Sequence, residues 1–438
     1  MSLDVVRAGV DEEVLGKELM ACLADLYPVC RSITGEGVRE TLRRLQRVTS
    51  LTVHEVPTGT EVFDWTVPRE WNIRDAYVKN ARGERVIDFR RSNLHVLNYS
   101  VPVRRRMSLE ELRPHLFTLP ERPEWVPYRT AYYKERWGFC LSQRQLDALA
   151  PGDYEVCIDS SLEPGFLTYG EAYLPGASPD EVLISCHVCH PSLANDNLSG
   201  IVVAASLAQH LGRVSLRYSY RFLFIPGTIG SITWLARNED IVPRIRHGLV
   251  LTCLGDAGRF TYKKSRRGDA AIDRVAAQVL RQLGDHEIVD FSPYGYDERQ
   301  FCSPGFDLPV GRLSRSPHGA FPEYHTSADD LGFVHPAQLA AALTTCLRIF
   351  HALESDRRYV NQSPKGEPHL SKHGLYRDIG GLAHSHVAEM ALLWTLNLSD
   401  GRHSVLDIVE RSGLAFEEIA HAAAVLEHRG LLKEAVDE

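Results

Sequence analysis

Apolar residues recur at helical spacing over residues 14–26, and again over 37–48 after the Thr34-Gly35-Glu36-Gly37 turn, so the chain is predicted to open with two helices. From Leu51 the texture changes to short alternating runs, 51–56, 76–79, 85–88 and 95–99, separated by Pro and Gly. These predict a β-rich segment ending near a helix over 142–149. A third pattern begins at Glu181, where strand-like runs at 181–185, 218–225 and 247–253 alternate with helical stretches at 198–211, 229–238 and 270–283. A long helix over 336–353 closes the section. Strands alternating with helices of this length predict an α/β fold, a sheet layered between helices. Residues 356–376 are polar and rich in Pro, Gly and Ser, as a linker would be. Beyond them, helices over 387–396, 405–410 and 416–429 and a strand over 431–433 follow the order of a winged helix. The expected organisation is a helical start (1–52), an inserted β-rich domain (53–150), an α/β core (151–356) and a winged-helix-like domain (377–438).

Composition narrows the class. With 44% hydrophobic and 24% charged residues, the 438-residue chain is not disordered, a coiled coil or a collagen. No run approaches the ~20 apolar residues of a membrane helix. Asp4, Arg7, Asp11, Glu12 and Glu13 exclude a signal-peptide core at the start, so the expected location is the cytoplasm. The nine cysteines are then expected to be reduced. A net charge of -8 argues against nucleic-acid binding. From Asp378 to Glu438, 11 acidic residues face only Arg402, Arg411, Arg429 and Lys433. A DNA-reading wing should be basic. The acidic C-terminal domain is therefore expected to contact a protein partner or a second copy in a homodimer.

Candidate chemistry gathers where the predicted strands end. The first runs into Cys186-His187-Val188-Cys189-His190 and then Asn195-Asp196-Asn197-Leu198-Ser199-Gly200. The second runs into Pro226-Gly227-Thr228, and the third into Gly255-Asp256. A later turn-rich loop carries Glu323-Tyr324-His325 and Asp329-Asp330. Ligands bind beyond the carboxyl ends of strands in open α/β sheets, and imidazole with carboxylate suits zinc. Cys186-x-x-Cys189-His190 also matches c-type haem attachment, disfavoured without export. A structural zinc on Cys186 and Cys189 lacks a second close pair of ligands.

His187, the Asn195–Gly200 run, Asp256 and Tyr324-His325-Thr326 resemble the pattern of co-catalytic dizinc aminopeptidases and carboxypeptidases. The match is closer to a bacterial aminopeptidase-like family with an inserted β domain and a C-terminal winged helix, through Tyr128-Arg-Thr-Ala-Tyr-Tyr133, Trp137-Gly-Phe-Cys140, Thr168-Tyr-Gly-Glu171 and Asp297-Glu-Arg-Gln-Phe301. The resemblance implies a zinc-dependent amide or peptide hydrolase with one or two Zn2+ ions. In it Asp196 bridges two metals, His187 and Asp256 complete one, and His325 binds the other. His190 is the alternative ligand. Two cations ~3.5–4 Å apart need shared negative charge, and together polarise a carbonyl and acidify a bridging water.

Two departures from that pattern matter. Cys189 stands where the dizinc enzymes have an acidic residue orienting the first His, and Gly227 stands where they have the glutamate that serves as base and ligand. Glycine can do neither. Glu298 and Glu323 are the expected replacement bases, with Asp297 a further carboxylate nearby. Otherwise the site holds a single metal, or the protein is a catalytically silent metal- or ligand-binding protein that recruits a partner through its C-terminal domain. Arg129, Tyr133 and Arg315 are the expected contacts to a small-molecule or peptide substrate, and Asp330 an acceptor for an imidazole.

Overall fold

Eight strands build the sheet that positions the site: β1 (Thr52–Pro57), β2 (Phe166–Leu174), β3 (Glu181–His187), β4 (Ser219–Ile225), β5 (Ile245–Leu251), β6 (Phe260–Lys263), β7 (His286–Val289) and β8 (Val310–Ser314). This is a computed structural model, and it describes residues 9, 11–375 and 383–435. The strand order is β1-β2-β4-β3-β5-β8-β6-β7. The centre, β4-β3-β5-β8, is parallel, whereas β1 and β2 are antiparallel to their neighbours and β6 is antiparallel to β8. All seven residues of β3 and all seven of β4 are buried. A parallel centre covered on both faces explains why these strands read as near-continuous apolar runs.

The polar exceptions inside the sheet are paired. Arg221 on β4 meets Glu181 on β3 at 2.7 and 3.0 Å and also bonds Glu171 on β2, which accepts from the Trp234 indole at 2.9 Å. A fork-shaped guanidinium thus ties three neighbouring strands, an arrangement that is stable only while every member keeps its partner.

Helices α1 (Glu12–Leu26) and α2 (Glu36–Leu45) open the chain, and α3 (Gly200–Leu211) and α4 (Ile229–Arg237) follow β3 and β4. A separate four-stranded sheet carries Arg85–Asp88, Glu70–Lys79, Asp153–Glu163 and Val103–Ser108 in that order, so the β-rich segment extends past residue 150 to recruit its longest strand. Residues 95–99, expected as a strand, form a 3-10 turn at Asn93–His95 and isolated bridges. There Asn98 accepts from Ser32 at 2.5 Å and donates to the Arg31 carbonyl at 2.9 Å, so side-chain bonds replace a ladder.

The chain divides into two compact units, residues 1–270 with 286–344, and residues 271–285 with 345–438. The second contains a three-stranded sheet of Asp400–Ser404, Arg358–Asn361 and Leu432–Glu434, with helices at Ala383–Leu398, Val405–Ser412 and Phe416–His428. Arg358–Asn361, inside the expected linker, is therefore the central strand of the wing. Ser404 and Asp407 form a capping box at the start of the middle helix. Arg274 pairs with Asp407 and Glu410 at 2.6 Å, taking up two of the acidic residues that set the charge of this segment. No helix among the described residues is long and apolar enough to cross a membrane.

Candidate metal and active site

The site is assembled where β3 and β4 stop. His187 is the last residue of β3, and the chain turns through Cys189 and His190 into residues 194–199, which lead into α3. Asp196 and Asn197 leave helical geometry there, and the peptide between them is cis. Asp329 fixes this turn: one oxygen accepts from Asn195 N at 2.6 Å, the other from Asp196 N at 2.9 Å, and its carbonyl accepts from Ala194 N at 3.0 Å. Burial pushes the Asp329 carboxyl up to about 8 against the pull of those N–H groups.

The fully buried Asp196 carboxylate is the focus of three imidazoles. His187 Nε2 lies 2.9 Å from one oxygen, His325 Nε2 2.9 Å from the other, and His190 Nε2 3.9 Å from that second oxygen. Burial alone would raise the Asp196 pKa; the neighbouring imidazoles of His190, His187 and His325 hold it well below the usual carboxylate range. Burial, helped by His187, His325 and Arg31, keeps His190 well below the ordinary imidazole pKa and therefore neutral near pH 7. An ionised carboxylate beside a neutral imidazole is the state a divalent cation needs. His187, His190 and Asp196 each offer a ligand atom within 4.8 Å of the others.

Aromatic rings hold the imidazoles. His187 stacks on Tyr296 (5.2 Å) and His325 on Tyr324 (4.0 Å), while Tyr128 meets His190 and His325 edge-on at 5.1 and 5.0 Å. The Tyr128–Tyr133 motif is thus part of the site, whereas Trp137 stacks on His115 in the interior. His325 has a φ of 56°, in the left-handed region where a non-glycine residue is uncommon, as functional positions often are.

Two cavities meet at His190. One, of about 360 Å3, is lined by His187, Cys189, Gly227, Asp297, Arg299 and His318 among others. The second, of about 350 Å3, is lined by Tyr128, Arg129, His190 and His325. Arg129 and Tyr133 each reach one of them. Arg315 reaches neither: it donates to the Gly258 carbonyl at 2.7 Å and lies 4.0 Å over the Phe260 ring.

The remaining sequence candidates lie elsewhere. The Asp256 carboxylate accepts from Asn195 Nδ2 (2.9 Å), Gly258 N (2.7 Å) and Ser316 Oγ (2.7 Å), and is not in the group that meets within 4.8 Å among the described residues. Glu298 is buried against Lys263 at 3.0 Å, and neither it nor Glu323 lines either of these two cavities. Asp330, expected beside an imidazole, instead accepts from Gly332 N and Phe333 N and caps an exposed turn. Cys189 accepts from Gly227 N at 3.2 Å and lies 3.5 Å from His190 Nδ1. The carboxylate that does line the larger cavity is Asp297, bonded by Thr228 N at 2.7 Å and Ser231 Oγ at 3.1 Å. Its burial raises its pKa. Its sequence neighbourhood marked it, but only the packing separates it from Glu298.

The family model described as a domain of unknown function (DUF4910) matches residues 20–356, and a winged helix-turn-helix model matches residues 357–434. The chain is 51% identical over 419 residues, 95% of its length and 96% of the relative's, to a Clostridium acetobutylicum protein named "putative polysaccharide biosynthesis protein with aminopeptidase-like domain". A crystal structure titled "putative peptidase", also from Clostridium acetobutylicum, superposes with a TM-score of 0.93 at 49% identity over 97% of both chains. A zinc aminopeptidase from Bacillus subtilis superposes with a TM-score of 0.57 at 12% identity, covering 77% of this chain and 95% of that one, a likeness of fold. The chain therefore belongs to the DUF4910 family, an aminopeptidase-like α/β domain followed by a winged helix-turn-helix.

Proposed function

We propose that this protein is a zinc-dependent amide or peptide hydrolase. The observation that carries the reading is the convergence of His187, His190 and His325 on the single buried carboxylate of Asp196, at the junction of two cavities. The donor set fits the metal: imidazole and carboxylate at strand ends, His190 neutral and Asp196 ionised. His187, His190 and Asp196 would hold the ion, with His325 on the Asp196 oxygen opposite the one His187 meets. A zinc ion held there supplies Lewis-acid polarisation of a carbonyl.

The chain's own residues do the rest. Asp329 keeps Asp196 in place, and Tyr296 and Tyr324 hold the imidazole planes. Asp297 is the carboxylate available to take a proton, because its raised pKa brings it toward the working range of a general base. Gly227 leaves open the volume that a glutamate would fill, so the activity is altered from that of an enzyme with the glutamate.

Metal content of untagged protein purified without chelator, by mass spectrometry, tests the reading. One or two zinc ions per chain support it, and none after zinc is added back overturns it. The second reading, a catalytically silent ligand-binding protein recruiting a partner through its C-terminal domain, is favoured by Gly227 alone. It predicts metal or ligand binding without turnover.

A further inference from the structure

We propose that the molecule this site acts on carries a carboxylate, and that Arg299, assisted by His318, receives it. The inference rests on the hydrolase reading and names the class of substrate. Arg299 lines the cavity that also contains His187, Gly227 and Asp297. Its one hydrogen bond runs from Nη2 to Thr228 Oγ1 at 3.3 Å, and no acidic side chain pairs with it among the described residues. Its Nε is buried with no partner. Arg39 is paired with Glu55 and Glu70, Arg85 with Asp75 and Asp88, and Arg221 with Glu171 and Glu181, while the buried Arg31 and Arg315 donate to backbone carbonyls; Arg299 has a single long bond to a hydroxyl. A half-desolvated cation without an anion is costly to keep, and the Arg fork is shaped for a carboxylate.

His318 adds a second polar group in the same cavity. Its ring is held edge-on against Tyr294 (5.0 Å) and Tyr296 (5.4 Å), and its buried Nδ1 has no partner. Asp297, in the same cavity, forms no ion pair with the arginine among the described residues; one of its oxygens accepts from Thr228 N and Ser231 Oγ. Trp65 and Tyr133, in contact at 5.5 Å, and Tyr324 line the same cavity. Aromatic walls with one anchoring charge, in about 360 Å3, suit a small ligand with an apolar body and one anionic end.

The test compares two probes on the full chain as purified, with and without added zinc: N-benzoylglycine and its neutral primary amide, by isothermal titration calorimetry. The carboxylate is expected to bind about tenfold or more tightly than the amide, as a charge-assisted bond requires. Arg299→Met should erase that ratio, Arg299→Lys should keep part of it, and Arg246→Met, at an exposed arginine paired with Asp180, should leave it intact. Thermal melts check that each variant is folded. Equal binding of the two probes, binding of neither at millimolar concentration, or a ratio that survives Arg299→Met overturns the proposal. A carboxylate preference in protein that takes up no zinc sinks the hydrolase reading and leaves the anion site standing. Zinc uptake with hydrolysis of amides but no such preference removes the anion site alone.

Discussion

Asp297→Asn asks whether the proton-accepting carboxylate has moved from the turn after β4 to the neighbouring loop. The amide oxygen can keep the bonds that one carboxylate oxygen now accepts, from Thr228 N at 2.7 Å and Ser231 Oγ at 3.1 Å. The fold should therefore lose no more than about 1 kcal/mol, the scale of one altered hydrogen bond. What disappears is a base, and general acid–base catalysis contributes ~10²–10⁴-fold, or about 2.7–5.4 kcal/mol of barrier. Gly227→Glu supplies the rescue. A Cβ at Gly227 would stand 3.4 Å from Cys189 Sγ and 3.5 Å from His187 Cβ, ordinary contacts, with the carboxylate entering a cavity of about 360 Å3. The assay is kcat/KM of the zinc-loaded proteins against aminoacyl and acyl-amino-acid amides, across pH. Burial raises the Asp297 pKa, so the acidic limb of the native profile should lie above the usual carboxylate range and vanish in the Asn variant. Native kcat/KM and an unchanged limb in Asp297→Asn would refute the assignment. So would a Gly227→Glu, Asp297→Asn double variant that binds the same metal and recovers nothing.

Three further outcomes are expected. Asp196→Asn together with His187→Ala should abolish zinc retention in the same mass measurement, while Glu298→Gln should leave stoichiometry unchanged. His247, away from the site, is held by burial at about 4 against an ordinary value near 6.5, so it favours the fold fully above pH ~6.5 and loses that contribution as pH falls toward 4. The loss is roughly 3 kcal/mol, and His247→Gln should flatten the fall in urea midpoints between those pH values. Arg31→Met should destabilise the protein by about 1–3 kcal/mol and weaken zinc binding, because Arg31 is buried with donors on the His190, Pro191 and Leu26 carbonyls, and the His190 carbonyl loses its partner while the other two keep bonds from Leu193 N and Val29 N. Urea melts and a zinc-competition titration check the two effects.

What the sequence determined by itself is what local periodicity and strand-end chemistry can carry. The alternation from Glu181 to Leu251 specified β3, β4 and β5, because strands buried on both faces must be apolar throughout. His187 and Asp196, at and beyond a carboxyl end, were marked by position, and Gly227 by its departure from the pattern the chain resembles. The winged helix was legible from helix spacing and element order, but its central strand, Arg358–Asn361, was not. A four-residue sequence carries too little periodicity to read, and only its pairing with Asp400–Ser404 and Leu432–Glu434 makes it a strand.

Tertiary structure decided which of several similar groups faces which space. Asp297 and Glu298 are adjacent in sequence, yet one lines the cavity and the other is consumed by Lys263, because successive residues at the start of a helix point in different directions. Asp256 was taken by Asn195 and Ser316 through contacts 60 residues or so apart that no local pattern encodes, and the turn after β3 brought His190 toward Asp196. The guanidinium of Arg299 is of the same kind: a sequence records a charge, and only packing reveals that no carboxylate pairs with it among the described residues.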